Sequence, residues 1–273
     1  MKIHQIRNAT ILIEFGDVRL LVDPMLSDKD ALTPLRLFKM RGRNPSVTLP
    51  DNAQELINSA THCIITHCQR GHFDHLDGAA IKWLRETQLP VFCTPRDEPF
   101  LVAKGINILP LRRDDNKPQS FLNGAVLTTP CRHGRGFIGK FMEHGVGYVI
   151  KLPGQPSLYL TGDTILTDDV FNTVKQHSPV GIVAPAGGAR FDVGTKIIMN
   201  ADDMITLAKL SAATIIANHV EAISHCPVSR ADIRFAAKAA GFADRIIAPD
   251  DGEAVLVPTA TVISDGRVIQ DVC

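Results

Sequence analysis

The chain has 273 residues, enough for one large domain or two small ones, and its 45% hydrophobic and 21% charged residues are the balance of an ordinary globular protein. Lys+Arg and Asp+Glu both number 29, so no whole-molecule field draws in nucleic acid or anionic lipid, and any preference for a charged substrate is local. The opening Met1-Lys2-Ile3-His4-Gln5-Ile6-Arg7 lacks the apolar core of a signal peptide, and no run approaches the ~18 apolar residues of a membrane span, which predicts a cytoplasmic protein with no membrane span.

In chain order, the apolar runs 10–15 and 18–22 flank Gly16-Asp17, a hairpin signal, and Asp23-Pro24 stops the second run. Residues 27–52 are rich in Pro, Arg and Asp and form a long excursion, of the kind that serves as a substrate lid or as plain surface. The short apolar run 63–66 reads as a strand covered on both faces, 77–85 as a helix and 90–93 as a strand. Further strands are expected at 126–129, 148–150, 158–160, 180–183 and 214–217, and helices at 167–177 and 201–211, the latter capped by Asn200. Ser229 and Asp232 form a capping box, Gly241 closes that helix, and 254–257 with 261–263 make a final sheet pair. The strands outnumber the helices and come in two batches. This predicts an α/β protein built as a four-layer αββα sandwich of two mixed β-sheets with outer helices, in a single domain spanning 1–273. A single doubly wound sheet is the alternative, and the opening hairpin and strand-rich middle argue against it. The six cysteines (63, 68, 93, 131, 226 and 273) form no CxxC pair and read mostly as small buried hydrophobes of a reducing compartment.

The most informative stretch runs from His67 to Asp77: three histidines and two aspartates in eleven residues, directly after a strand and before a helix. Imidazole and carboxylate together suit zinc, manganese, iron or cobalt, and strand ends are where α/β folds gather their reactive groups. Three further features recur in the same context. His133 follows a strand in Thr129-Pro130-Cys131-Arg132-His133, Asp163 follows Gly162 after a strand, and His219 follows the strand ending at Asn218. A lone His or Asp at such a place is more often a cap or a satisfied polar group; the ordered set points to metal.

This order resembles the metallo-β-lactamase superfamily, whose signature is HxHxDH, then a single His, an Asp and a final His, each at a strand end. Ala9-Thr10-Ile11-Leu12-Ile13-Glu14, Asp23-Pro24, Ala184-Pro185-Ala186-Gly187-Gly188 and Met199-Asn200-Ala201-Asp202-Asp203 are similar to the branch of L-ascorbate-6-phosphate lactonase and N-acylphosphatidylethanolamine phospholipase D. The resemblance implies two divalent metal ions, zinc or manganese. His67, His72 and His133 would hold the first, Asp74, His75 and His219 the second, and Asp163 would bridge them. Asp74 and Asp163 would also orient a metal-bound hydroxide, and His225 would lie near the mouth, behind the ligands or against the substrate. The implied activity is hydrolysis of a small, anionic ester, lactone or phosphodiester. Two divalent ions outweigh two aspartates and a hydroxide by one charge, and Arg132, Arg135, Lys140 and Arg190 flank the loops. A homo-oligomer is a further expectation of the branch, and the neutral charge balance predicts no nucleic-acid partner.

Two departures stand against the pattern. The family separates its first two histidines by one residue, whereas Cys68-Gln69-Arg70-Gly71 lies between His67 and His72. A bulge at Gly71, which tolerates positive φ, is needed for both to face one metal. Without it His67 is lost, with Cys68 as the substitute thiolate, and the chain becomes a degenerate or mono-metal member acting as a binding or regulatory protein. Arg7-Asn8 also stands where related chains often carry Gly-His. No G-x-S-x-G elbow, P-loop or G-x-G-x-x-G is present, and no appended flavodoxin-like segment supports a di-iron oxygen reductase.

Overall fold

The computed structural model of the chain describes residues 1–33, 42–69, 71–112, 117–136, 139, 145–192, 194–258, 260–262 and 268–270. Strand β1 (Lys2–Arg7) runs antiparallel to β2 (Thr10–Phe15), which turns through Gly16 at φ 61° into β3 (Val18–Val22). The hairpin is the one expected. Along β2 the side chains alternate: Ile11, Ile13 and Phe15 enter one apolar cluster while Leu12 enters another, as a period of two requires of a strand buried on both faces.

Beyond helix α1 (Ala53–Asn58) come β4 (His62–Ile64), α2 (Gly78–Thr87), β5 (Val91–Cys93), α3 (Glu98–Val102) and β6 (Ile108–Pro110). These strands extend the first sheet in parallel from β3. The second half opens with the antiparallel strands β7 (Gln119–Phe121), β8 (Gly124–Pro130), β9 (Val146–Lys151) and β10 (Leu158–Leu160). It continues through α4 (Asp168–His177), β11 (Gly181–Pro185), α5 (Ala201–Leu210), β12 (Thr214–Asn218), α6 (Arg230–Ala239) and β13 (Ile246–Ile247). The second sheet has the order β13-β12-β11-β10-β9-β8-β7. Strand β14 (Ala254–Leu256) returns to the first sheet, whose order is β14-β1-β2-β3-β4-β5-β6.

Three apolar clusters define four layers. Ile11, Ile13 and Leu20 of the first sheet meet Val126, Tyr148 and Ile216 of the second. Leu12, Leu21 and Cys63 meet Ile57, Ala80, Leu84 and Leu101 of α1, α2 and α3. Val149, Tyr159 and Ile215 meet Val174, Leu207 and Ile233 of α4, α5 and α6. Each fully buried aliphatic side chain contributes about 1.5–3 kcal/mol relative to exposure, so the two-faced strands are the main source of stability. The αββα expectation is met.

One expectation is corrected. Residues 254–257 and 261–263 do not form a sheet pair: β14 pairs antiparallel with β1, and β15 (Ala260–Val262) pairs with β16 (Val268–Gln270). The first strand otherwise leaves its outer edge unpaired, and β14 supplies the missing ladder. Ile263, Lys140 and Cys273, each named from the sequence, lie outside the described residues. Among the described residues no helix is long and apolar enough to cross a membrane.

Candidate metal centre

The predicted loops leave the sandwich at one rim, from the carboxyl ends of β4, β8, β10 and β12. The β4 loop is shaped by its own sequence. Gly71 adopts φ 89°, the left-handed turn that the extra residues demand, and His67 and His72 come together with ring centroids 4.3 Å apart. Asp77 accepts from Ala80 N and Ser27 N, which assigns this second aspartate of the cluster to capping α2. After β10, Gly162 stands at φ 63°, and a Cβ there would meet Val146 O at 2.5 Å, so glycine is required for the turn that presents Asp163.

Two groups of buried side chains result. His67, His72 and His133 form one, and Asp74, His75, Asp163 and His219 the other; within each, the potential ligand atoms lie within 4.8 Å of one another. Asp163 stands between them, its Oδ2 at 3.2 Å from His75 Nε2, 3.3 Å from His219 Nε2 and 3.7 Å from His133 Nε2. Asp74 Oδ2 lies 3.2 Å from His219 Nε2. The His67–His72 loop is therefore bulged, not lost, and Cys68 faces Asp97 instead of the cluster. His225 belongs to neither group. It is buried, its Nδ1 has no hydrogen-bond partner, and its ring lies parallel to Phe191 with centroids 6.3 Å apart. Arg132, Arg135 and Arg190 are exposed at the rim.

The imidazoles are oriented from behind. His75 Nδ1 faces Asp23 Oδ2 at 2.9 Å, His133 Nδ1 faces Ile197 O at 2.9 Å, His72 Nδ1 faces Gln69 O, and His67 Nδ1 faces Thr66 Oγ1 at 3.1 Å. A proton held on Nδ1 by such acceptors leaves the Nε2 lone pair directed inward, the arrangement of metal-ligating histidine. His219 Nε2 sits between two carboxylate oxygens, 3.2 Å from Asp74 Oδ2 and 3.3 Å from Asp163 Oδ2. The donor set thus fits a divalent metal better than it fits a hydrogen-bonded network.

Two residues that sequence reasoning missed complete the frame. Asp23 accepts from Thr66 N at 2.8 Å, Thr66 Oγ1 at 2.6 Å and His75 Nδ1, so one carboxylate organises two ligand loops. The Asp-Pro pair at the end of β3 is the available signal; as sequence it marks a strand stop and a segment similar to the lactonase branch, without a role at the site. Asn8, at φ 55°, donates from Nδ2 to Asp74 O and accepts from His219 N, tying the first and last loops together.

The electrostatics follow from three buried carboxylates among five imidazoles. Burial pulls the His75 imidazole down, but Asp163, Asp74 and Asp23 override it and push the value up to about 10. His219 is likewise raised, against burial, by Asp163. Burial lowers His67, and lowers His133 and His225 to about 4 each. Burial opposes the ionised forms of Asp74 and Asp163, and the histidines beside them outweigh it and hold both below the usual carboxylate range.

No family profile matches the chain. It is 31% identical over 257 residues, 93% of this chain and 98% of the relative, to the UPF0173 protein YddR of Bacillus subtilis. The chain belongs to the UPF0173 family. A UPF0173 metal-dependent hydrolase of Xanthobacter autotrophicus is 24% identical over 205 residues, 72% of this chain and 75% of the relative. Among solved structures, this UPF0173 chain superposes on the isothiocyanate hydrolase from Delia radicum gut bacteria with a TM-score of 0.84 at 29% identity, covering 94% of this chain and 99% of that one. The metallo-β-lactamase fold protein YhfI of Bacillus subtilis matches with a TM-score of 0.62 at 14% identity, over 93% of this chain and 98% of that one, and shows the fold alone. The UPF0173 chain is a metal-dependent hydrolase of the metallo-β-lactamase fold.

Metal uptake by this UPF0173 protein is expected to release protons. In the metal-free protein the surrounding carboxylates favour the charged forms of His75 and His219, and a ligand imidazole must give up its inward proton. Titrating zinc into weakly buffered metal-free protein with an indicator dye is expected to read out about two protons per loaded molecule; uptake without release would contradict the raised values. The sign for stability is fixed in the same way. The raised His75 stabilises the metal-free fold fully below its ordinary 6.5, and that contribution is lost as pH rises through about 10. The depressed His133 acts oppositely: its contribution is present above 6.5 and lost as pH falls through about 4.

Proposed function

We propose that the chain, as a single domain spanning 1–273, hydrolyses a small molecule at two divalent metal ions, zinc or manganese. His67, His72 and His133 hold one ion, Asp74, His75 and His219 the other, and Asp163 lies between. The observation that carries this reading is the inward convergence of imidazole Nε2 atoms on Asp74 and Asp163, with each Nδ1 backed by its own acceptor. When bound, such metals supply Lewis acidity and activate water at neutral pH.

The chain's own groups set the rest. Asp74 and Asp163 stay ionised at neutral pH and hold the charge that the site needs. His225, neutral because burial depresses it to about 4, offers an unengaged Nδ1 to a polar atom of the substrate or leaving group. Partly buried apolar side chains gather at the same rim: Phe73 of the β4 loop, Val47 of the segment after β3 and Cys226 of the β12 loop pack on the buried Met25, Ala222 and Ile223, and Phe191 faces His225. Phe73, Val47 and Phe191 would pack against an organic substituent of the substrate.

Two substrate readings follow. The first is the anionic ester, lactone or phosphodiester that a net positive metal site favours. The second is a neutral electrophile such as an isothiocyanate. It is favoured by the 29% identity to an isothiocyanate hydrolase, by the apolar side chains at that rim, and by Asp23, a third buried carboxylate that reduces the surplus positive charge. The test is a panel of benzyl isothiocyanate, a γ-lactone and bis(p-nitrophenyl) phosphate, with metal content measured on the same sample. Turnover of one compound, abolished by EDTA and restored by zinc or manganese, is expected. Turnover indifferent to chelation would sink the proposal, and a protein with neither metal nor turnover would be the regulatory member instead.

A further inference from the structure

The imidazoles of the site are not all backed by the same kind of atom. A carboxylate stands behind His75, and peptide carbonyls stand behind His72 and His133. Among the described residues His219 is the imidazole of the cluster that rests on sulfur, with Nδ1 3.5 Å from Cys226 Sγ. The contact is built in by the backbone. His219 adopts φ 56°, and Cys226 N donates to Ile223 O at 3.0 Å, which folds the chain back so that residue 226 lies behind residue 219. Gly187, just past the end of β11, closes over the pair. A Cβ there would lie 2.2 Å from His219 O and 2.9 Å from both Cβ and Sγ of Cys226, so no other residue fits without moving one of them. The Cys226 side chain also packs against both small apolar clusters of the rim, with Met25, Ala222 and Ile223 on one side and Ala189, Ile197 and Ile198 on the other. The sulfur is therefore wedged in place, and the polar group it meets is the outward nitrogen of His219.

We propose that Cys226 is a positioning residue of the metal centre: its sulfur accepts the Nδ1–H of His219 and fixes the tautomer that aims Nε2 at Asp74 and Asp163. Sulfur is a weak acceptor, so it polarises the imidazole less than the carboxylate behind His75 or the carbonyls behind His72 and His133. A less basic Nε2 is a poorer ligand. Within the Asp74, His75, Asp163 and His219 group, His219 is thus the softly backed arm beside a carboxylate-backed His75. The inference rests on the binuclear reading above.

Zinc content and affinity, measured by chelator competition on purified protein, test it with two variants. Cys226→Val keeps an apolar side chain of similar size and removes the acceptor. Cys226→Ser keeps an acceptor, but its shorter bond to Cβ draws the oxygen back from Nδ1. One equivalent of zinc is expected to weaken by about 10–100-fold in C226V and less in C226S, with the other equivalent unchanged within about threefold. Thermal unfolding in EDTA is expected to be the same for the wild type and C226V. If C226V binds two equivalents as tightly as the wild type, the inference falls and the binuclear reading stands. Equal weakening of both equivalents, together with a lower unfolding temperature in EDTA, makes Cys226 a packing residue and also overturns it. A wild-type protein that takes up fewer than two equivalents removes both readings.

Discussion

Asp163→Asn is expected to strip metal from the protein and to lower kcat/KM by about 10³-fold, roughly 4 kcal/mol of transition-state stabilisation. The substitution keeps the side-chain volume, so Gly162 and the turn it makes are undisturbed. What it removes is the charge at a point that three imidazoles share: Oδ2 lies within 3.7 Å of Nε2 of His75, His133 and His219. An amide offers at most one neutral oxygen there and turns two N–H donors toward nitrogens that must keep their lone pairs for metal. Elemental analysis and turnover on the responsive substrate check the outcome. A D163N protein that retains two metals and activity within tenfold of the wild type would mean that Asp163 is not the shared ligand. The expected loss exceeds that for His133, whose partners remain in a group of their own, because Asp163 touches both groups.

How much of this was legible depended on whether a residue's reason lies near it in the chain. Helices α2, α4, α5 and α6 announce themselves, because Asp77, Thr167, Asn200 and Ser229 each accept from a backbone N–H of the first turn. Helices α1 and α3 were not anticipated, and neither has a side-chain hydrogen bond at its cap; packing of Ile57 and Leu101 on the first sheet holds them. Strand β1 escaped notice because its polar residues hide their partners far away. Arg7 is buried, yet its guanidinium donates to the carbonyls of Met25, Ser27 and Val47. The pairing of β14 with β1 spans the whole chain and has no local signature. The loops carrying His67, His72, Asp74, His75, His133, Asp163 and His219 are readable as strand ends, and the positive φ at Gly71 matches the bulge that the longer His67–His72 spacing, set against the resembled family's, needs if both are to face one metal. Asp23 was not readable as part of the site, since an Asp-Pro after a strand carries the same text whether it stops the strand or reaches across to His75.

For Asp23 the expected effect is on stability and metal together. Asp23→Ala removes the acceptor for Thr66 N, Thr66 Oγ1 and His75 Nδ1, all buried. A buried donor left without a partner costs about 1–3 kcal/mol, so a loss on the order of 4 kcal/mol and a fall of about 10 °C in Tm are expected. Metal affinity should drop by about 10–100-fold, since nothing then holds the His75 proton on Nδ1. Asp23→Asn separates charge from backbone. The residue sits at φ 44°, in the left-handed region that Asn tolerates better than Ala, so D23N keeps the turn. Its single oxygen can serve either the Thr66 N–H or the pair of donors that share Oδ2, and its NH₂ then opposes whichever is left. D23N is therefore expected to melt above D23A and yet to bind metal as poorly, as measured by calorimetry and chelator competition. Should D23N bind metal like the wild type, the charge behind His75 would be irrelevant to its basicity, and the backing of the other imidazoles would have to be explained by packing alone.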